Sequence, residues 1–161
     1  MVTHELGRPV EILLVDDNFA DIDLMKEGLL HAKVHHNLQL AMDGVEAMAL
    51  LRKEKGFEKA VQPDLILLDL SLPKKDGRSV LADVKADPHL KHIPVIILTS
   101  STAEADVQTS YDLHANCYIT KSIDWNGFLA AVKSIEEFWL SLVRLPVSGT
   151  DVCPPPQAST R

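Results

Sequence analysis

EILLVDDNFAD, residues 11–21, opens on a short apolar run and then turns abruptly acidic at Asp16 and Asp17. A continuous run of four or five apolar residues bounded by polar punctuation suits a strand buried on both faces better than an amphipathic one. Three more runs share the form: DLILLD ends on Asp69, PVIILT ends on Thr99 and CYITK ends on Lys121. A weaker strand, LQLAMD, follows the first helix. Helical periodicity fills the gaps: Ala20 to His31, with Ile22, Met25, Leu29 and Leu30 on one face; a second helix after Gly44 carrying Val45, Met48 and Leu51; a third through Val80, Leu81 and Val84; a fourth around Val107 to Leu113; and a long final helix. GFEKAVQP (56–63) reads as the loop leaving the second helix. Five strands alternating with five helices imply right-handed βαβ units and one parallel sheet covered on both faces, an α/β doubly wound fold.

The chain has 161 residues, enough for one domain with a substantial core. Its hydrophobic fraction of 46% and charged fraction of 24% are those of an ordinary globular protein. A net charge of -7 and the lack of a basic face argue against nucleic-acid binding. No apolar stretch reaches membrane-spanning length and MVTHELGRP lacks a signal-peptide pattern, so a cytoplasmic protein without a membrane partner is expected. Cys117 falls in a strand and Cys153 in a proline-rich tail, a poor placement for a disulfide. The expected organisation is an N-terminal segment at 1–9, one domain at 10–145 and a disordered tail at 146–161, where Pro, Ser, Thr and Gly replace core-forming residues.

The polar strand ends carry the chemistry. In open α/β sheets the crevice beyond the carboxyl ends of the strands is where ligands bind. At a strand-to-loop junction both Asp16 and Asp17 can turn into that crevice, where Asp69 makes a third carboxylate. Three converging negative charges call for a cation, and carboxylates, carbonyls and water form the ligand set of Mg²⁺. Lys121 adds a point charge and Thr99 a hydroxyl donor that suit a phosphoryl group. Asp69 is the candidate nucleophile, because a carboxylate can form an acyl phosphate.

As a set, these residues resemble the receiver domain of two-component response regulators, a five-stranded flavodoxin-like fold, over Val10 to about Leu145. The resemblance implies that Asp69 accepts the phosphoryl group, that Asp16 and Asp17 are the metal-binding acids, and that Ser71 completes the Mg²⁺ shell through its backbone carbonyl. Thr99 matches the switch hydroxyl, Lys121 the family lysine and Tyr118 the aromatic switch position. Pro73, Asp76 and Gly77 match the loop after the acceptor strand. One departure stands out: the family usually has proline after the lysine, where this chain has Ser122. DDNFADIDLM, LPKKDGRSVL, DLHANCYITK and SIEEFWLSLVRLP are similar to single-domain regulators that partner cyanobacterial and bacterial phytochromes.

The resemblance implies phosphoryl transfer from a phytochrome-type sensor histidine kinase to Asp69, with self-catalysed transfer and hydrolysis but no turnover of an external substrate. A histidine phosphotransfer protein is a further partner it implies. In the last helix Phe138, Leu140 and Leu145 lie beyond the centre of the apolar stripe, and with the resemblance to the phytochrome-partner subgroup a homodimer interface is expected there. A Mg²⁺-dependent aspartyl-phosphate phosphatase would need a second carboxylate two residues after the nucleophile, where Ser71 stands. A phosphorylation-independent adapter is the other alternative. A flavodoxin-like nucleotide binder would need a Gly-rich loop where DDNFAD stands. His31, His35 and His36, at an expected helix end, read as solvated surface residues, and His114 as structural or partner-facing.

Overall fold

The computed structural model describes residues 7–30, 35–100 and 104–121, with helical backbone also at 126, 127, 130, 133 and 134. Element order is β1 (Val10–Val15), α1 (Phe19–Leu30), β2 (His36–Ala41), α2 (Gly44–Leu51), β3 (Leu65–Leu68), α3 (Gly77–Ala86), β4 (Val95–Thr99), α4 (Glu104–Asp112) and β5 (Cys117–Thr120). The five strands form one parallel sheet in the order β2-β1-β3-β4-β5. The chain first winds outward from β1 to β2, then crosses back to β3 on the other side. That reversal creates a switch point between the ends of β1 and β3, where Asp16 and Asp69 stand.

Strand alternation divides the core in two. Leu13, Val15, Ile66, Leu68, Val95 and Ile97 pack with Ala47, Leu51, Val80, Leu81 and Val84 of α2 and α3. Ile12, Leu14, Leu65, Leu67, Ile96 and Leu98 pack with Ile22, Met25 and Leu29 of α1. The central strands β1, β3 and β4 are thus apolar on both faces, and each buried Leu or Ile in them contributes on the order of 1.5–3 kcal/mol. β2 and β5 are edge strands, half-buried along most of their length.

Several expectations need correction. Leu30 and Val45 are exposed rather than part of their helices' buried faces, because each lies about 100° round the helix from a buried neighbour, Leu29 and Gly44 respectively. His36 opens β2 rather than ending a helix; a polar residue is tolerated there because the strand has one neighbour and one solvated edge. β2 ends at Ala41, and Asp43 instead caps α2, its Oδ1 accepting the Glu46 N–H at 2.7 Å. The expected core of the final helix (Phe128, Val132, Ile135, Trp139, Leu142), the interface residues Phe138, Leu140 and Leu145, and Cys153, His31 and the tail lie outside the described residues.

The amino-terminal segment is tied to the sheet by a pair with no local signature in the sequence. Arg8 donates to both oxygens of buried Asp64, at 2.8 and 2.9 Å, and Asp64 also accepts the Glu11 N–H. The bidentate geometry satisfies a carboxylate that would otherwise be costly to bury.

Candidate functional site

Each acid of the crevice is held by the turn that follows its strand. β1 ends at Val15, and the Asp16 Oδ1 accepts the Asn18 N–H at 2.9 Å. Asn18 in turn caps α1, its Oδ1 accepting from the N–H groups of Ala20 and Asp21. β3 ends at Leu68, and the Asp69 Oδ1 accepts the Ser71 N–H at 3.2 Å. Gly77 lets the start of α3 press against this turn. A Cβ there would lie 2.2 Å from the Asp69 carbonyl oxygen and 2.6 Å from the Leu70 Cα, and the Gly77 N–H donates to Leu70 O.

Asp16, Asp17 and Asp69 each bring a carboxylate oxygen to within 4.8 Å of the others. Asp16 and Asp69 are buried, whereas Asp17 is exposed at the mouth. Lys121 reaches the same place from β5. Its Nζ donates to Asp16 Oδ2 at 2.6 Å, Asp21 Oδ2 at 2.8 Å and Asp69 Oδ2 at 3.1 Å. Its backbone N–H bonds Thr99 O at 2.7 Å, which fixes the strand end from which the side chain extends. With Ser122 in place of proline, the lysine still reaches the acids.

Lys121 is only 8% exposed. Burial alone would lower its pKa, but hydrogen bonds to Asp16 and Asp21 and the nearby charges of Asp69 and Asp16 hold it above its ordinary value. Lys121 therefore stays charged. Burial pushes the Asp16 carboxyl up; the Lys121 and Asn18 hydrogen bonds and the Lys121 charge pull it down, and the Asp69 charge adds to the rise. Three carboxylates bond the one ammonium and Asp17 adds a fourth to the acidic cluster, so the pocket retains excess negative charge. Oxygen donors with that excess fit a hard divalent cation.

Thr99 ends β4, next to β3, and is 1% exposed; its Oγ1 has no hydrogen-bond partner among the described residues. Its register follows Val95 and Ile97, on the α2–α3 face of the sheet. Tyr118 packs partly buried against that same core, whereas its neighbours Cys117 and Ile119 belong to the α1 side. The β4–β5 register pairs Tyr118 with Ile97, two residues before Thr99. Ser71 is exposed beside the acids. The crevice thus brings together Asp16, Asp17, Asp69 and Lys121, with Ser71 at its rim and Thr99 and Tyr118 on one sheet face beside it.

Asp21 is the residue that sequence reading missed. DDNFAD shows it only as one more acid; its role depends on α1 beginning at Phe19, so that the first helical turn faces Lys121. The Asn18 cap is the sequence signal that would have fixed that start.

This fold and site define a response regulator. The profile of the response regulator receiver domain matches residues 12–133, and the chain belongs to that family. It is 48% identical over 147 residues to response regulator Rcp1 of Synechocystis sp., spanning 91% of this chain and 100% of that one. The crystal structure of the Mn²⁺-bound form of Rcp1 superposes with a TM-score of 0.84 at 50% identity, covering 86% of this chain and 100% of the other. That of the phosphorylated cyanobacterial phytochrome response regulator RcpA gives 0.84 at 54% identity, covering 87% and 100%. The protein is thus a response regulator of two-component signalling, and its acidic cluster is consistent with divalent-metal binding.

Proposed function

We propose that this response regulator takes a phosphoryl group from a phytochrome-type sensor histidine kinase onto Asp69. The observation that carries the reading is the juxtaposition of a buried carboxylate, two further acids and a buried ammonium at one switch point. In the transfer, an Asp69 carboxylate oxygen attacks phosphorus as the bond to the donor histidine nitrogen breaks. The departing imidazole keeps the electron pair and takes up a proton. Asp16, Asp17, Asp69 and the Ser71 carbonyl would hold Mg²⁺, which when bound offsets charge on the phosphoryl oxygens. Lys121, bonded to Asp69 and Asp16, contributes electrostatic work of the same kind. Hydrolysis reverses the modification: water attacks phosphorus, inorganic phosphate leaves and the Asp69 carboxylate returns.

Thr99 offers the phosphoryl group a hydroxyl donor that has no other partner among the described residues. Its movement toward the phosphate vacates space for Tyr118, and the face of α4, β5 and the last helix changes shape, a population shift driven by phosphate contacts. The receiver occupies 10–145, acts in the cytoplasm, passes its phosphoryl group on to a histidine phosphotransfer protein and pairs through Phe138, Leu140 and Leu145 as a homodimer. The similarity to Rcp1 and to RcpA, a cyanobacterial phytochrome response regulator, supports the choice of kinase.

Incubation with a candidate phytochrome kinase and ATP under red and far-red light tests this reading. Light-dependent, hydroxylamine-sensitive label on the wild type and none on Asp69→Asn is expected. Equal labelling under both lights would remove the phytochrome donor, and full labelling of the variant would remove Asp69 as acceptor.

A further inference from the structure

The Lys121 ammonium has three N–H donors, and three carboxylates take them: Asp16, Asp21 and Asp69. Two of those carboxylates belong to the group whose oxygens converge within 4.8 Å, and Asp21 does not. Each oxygen of the two shared acids already has one partner, since Asp16 Oδ1 accepts from Asn18 and Asp69 Oδ1 from Ser71 while the two Oδ2 atoms take the ammonium. A divalent ion entering among Asp16, Asp17 and Asp69 therefore competes with Lys121 for the same carboxylates and repels it as a like charge. Asp21 is the acceptor that this competition leaves alone. It projects from the first turn of α1, where the helix N-terminus favours a carboxylate, and its own N–H is held by the Asn18 cap.

We propose that Asp21 is a positioning residue that keeps the Lys121 ammonium beside the acceptor carboxylate when a divalent ion takes over Asp16 and Asp69. This rests on the reading of Asp69 as acceptor with Mg²⁺ at the adjacent acids, and adds how the lysine and the ion share one pocket. Without Asp21, the ammonium leans entirely on the metal-binding acids, so ion and lysine exclude one another. With it, both stay, as transfer to Asp69 requires.

Nuclear magnetic resonance of the ¹⁵N-labelled lysine ammonium groups in the full chain, titrated with Mg²⁺, reads this directly. In the wild type and in Asp21→Glu a protected Lys121 ammonium signal should persist at saturating Mg²⁺. In Asp21→Asn, which preserves the shape of the side chain, the signal should be present without metal and lost at saturation. Persistence of the signal in Asp21→Asn would overturn the proposal. A second measurement separates action through Lys121 from simple loss of a nearby charge: Asp21→Asn should weaken Mg²⁺ about threefold or more in the wild-type background and less than about twofold beside Lys121→Met. Equal factors in both backgrounds would overturn it too. Wild-type protein that binds no Mg²⁺ and takes no label on Asp69 would defeat the parent reading and the proposal with it. Wild type that does both, with an Asp21→Asn variant that keeps its ammonium, defeats the positioning role alone.

Discussion

Asp69 and Thr99 end neighbouring strands of one sheet, yet their side chains meet opposite conditions. Both oxygens of Asp69 are engaged, one by Ser71 N–H and one by the Lys121 ammonium. The Thr99 hydroxyl is more deeply buried and has no hydrogen-bond partner among the described residues. The acidic side of the pocket is thus assembled before any phosphoryl group arrives, while the Thr99 side holds an unspent donor. A preassembled charge cluster costs no reorganisation at the moment of transfer, and an unsatisfied hydroxyl gives the phosphorylated state something to gain. The difference suggests a division of labour: the α1 side performs the chemistry and the Thr99–Tyr118 side reports it.

The largest effect should come from the assembled side. Lys121→Met leaves Asp16 and Asp69 buried without a counter-charge and should cost about 3–5 kcal/mol in metal-free chemical denaturation, part of it recovered on adding Mg²⁺. A loss below about 1 kcal/mol would mean that the cluster is not preassembled. The pH dependence of that loss follows from the Lys121 shift. Its pKa in the folded protein lies above 10.5, so its contribution is complete below that value and lost only as pH rises past the higher folded value. The gap between wild type and Lys121→Met should therefore stay level from about pH 7 to about 10.

Gly77→Ala forces a Cβ into the backbone of Asp69 and Leu70, an overpacking that should cost about 1–3 kcal/mol and slow phosphorylation of Asp69 by a small-molecule phosphodonor. Unchanged rate and stability would show that the turn yields freely. The smallest effect, and opposite in sign, belongs to the waiting side. Thr99→Val removes an unpaired buried hydroxyl at nearly constant shape and should stabilise the unphosphorylated protein by about 1 kcal/mol. Mg²⁺ affinity should stay within about twofold while the phosphorylation-dependent change at Tyr118 is lost. Destabilisation by Thr99→Val would show that the hydroxyl is already satisfied, and the contrast with Asp69 would collapse.

The sequence made the assembled side largely legible and the contrast hardly at all. Apolar runs buried on both faces announce β1, β3 and β4, and the residue ending each run falls at the crevice because parallel strands share a direction. Strand ends could thus be read without tertiary knowledge. Asp21 could not, because its contact depends on the helix phase set by Asn18, and a shift of one residue would turn it away from Lys121. The Arg8–Asp64 pair is 56 residues apart in sequence and has no local pattern to betray it. Leu30 and Val45 fit an apolar spacing but are exposed beside the buried Leu29 and Gly44, and approximate periodicity does not resolve the edge of a helix's buried face. That Thr99 lacks a partner is a property of its surroundings, which no spacing encodes.

The most direct test is to locate the phosphoryl group. Wild-type protein treated with a small-molecule phosphodonor, with and without Mg²⁺, can be reduced with borohydride to convert an aspartyl phosphate to homoserine and mapped by mass spectrometry. A single modification at Asp69, formed only with the divalent ion present and absent in Asp69→Asn, is expected. Modification at Asp16 or Asp17 instead, or label at Asp69 that forms equally well without metal, would contradict the assignment.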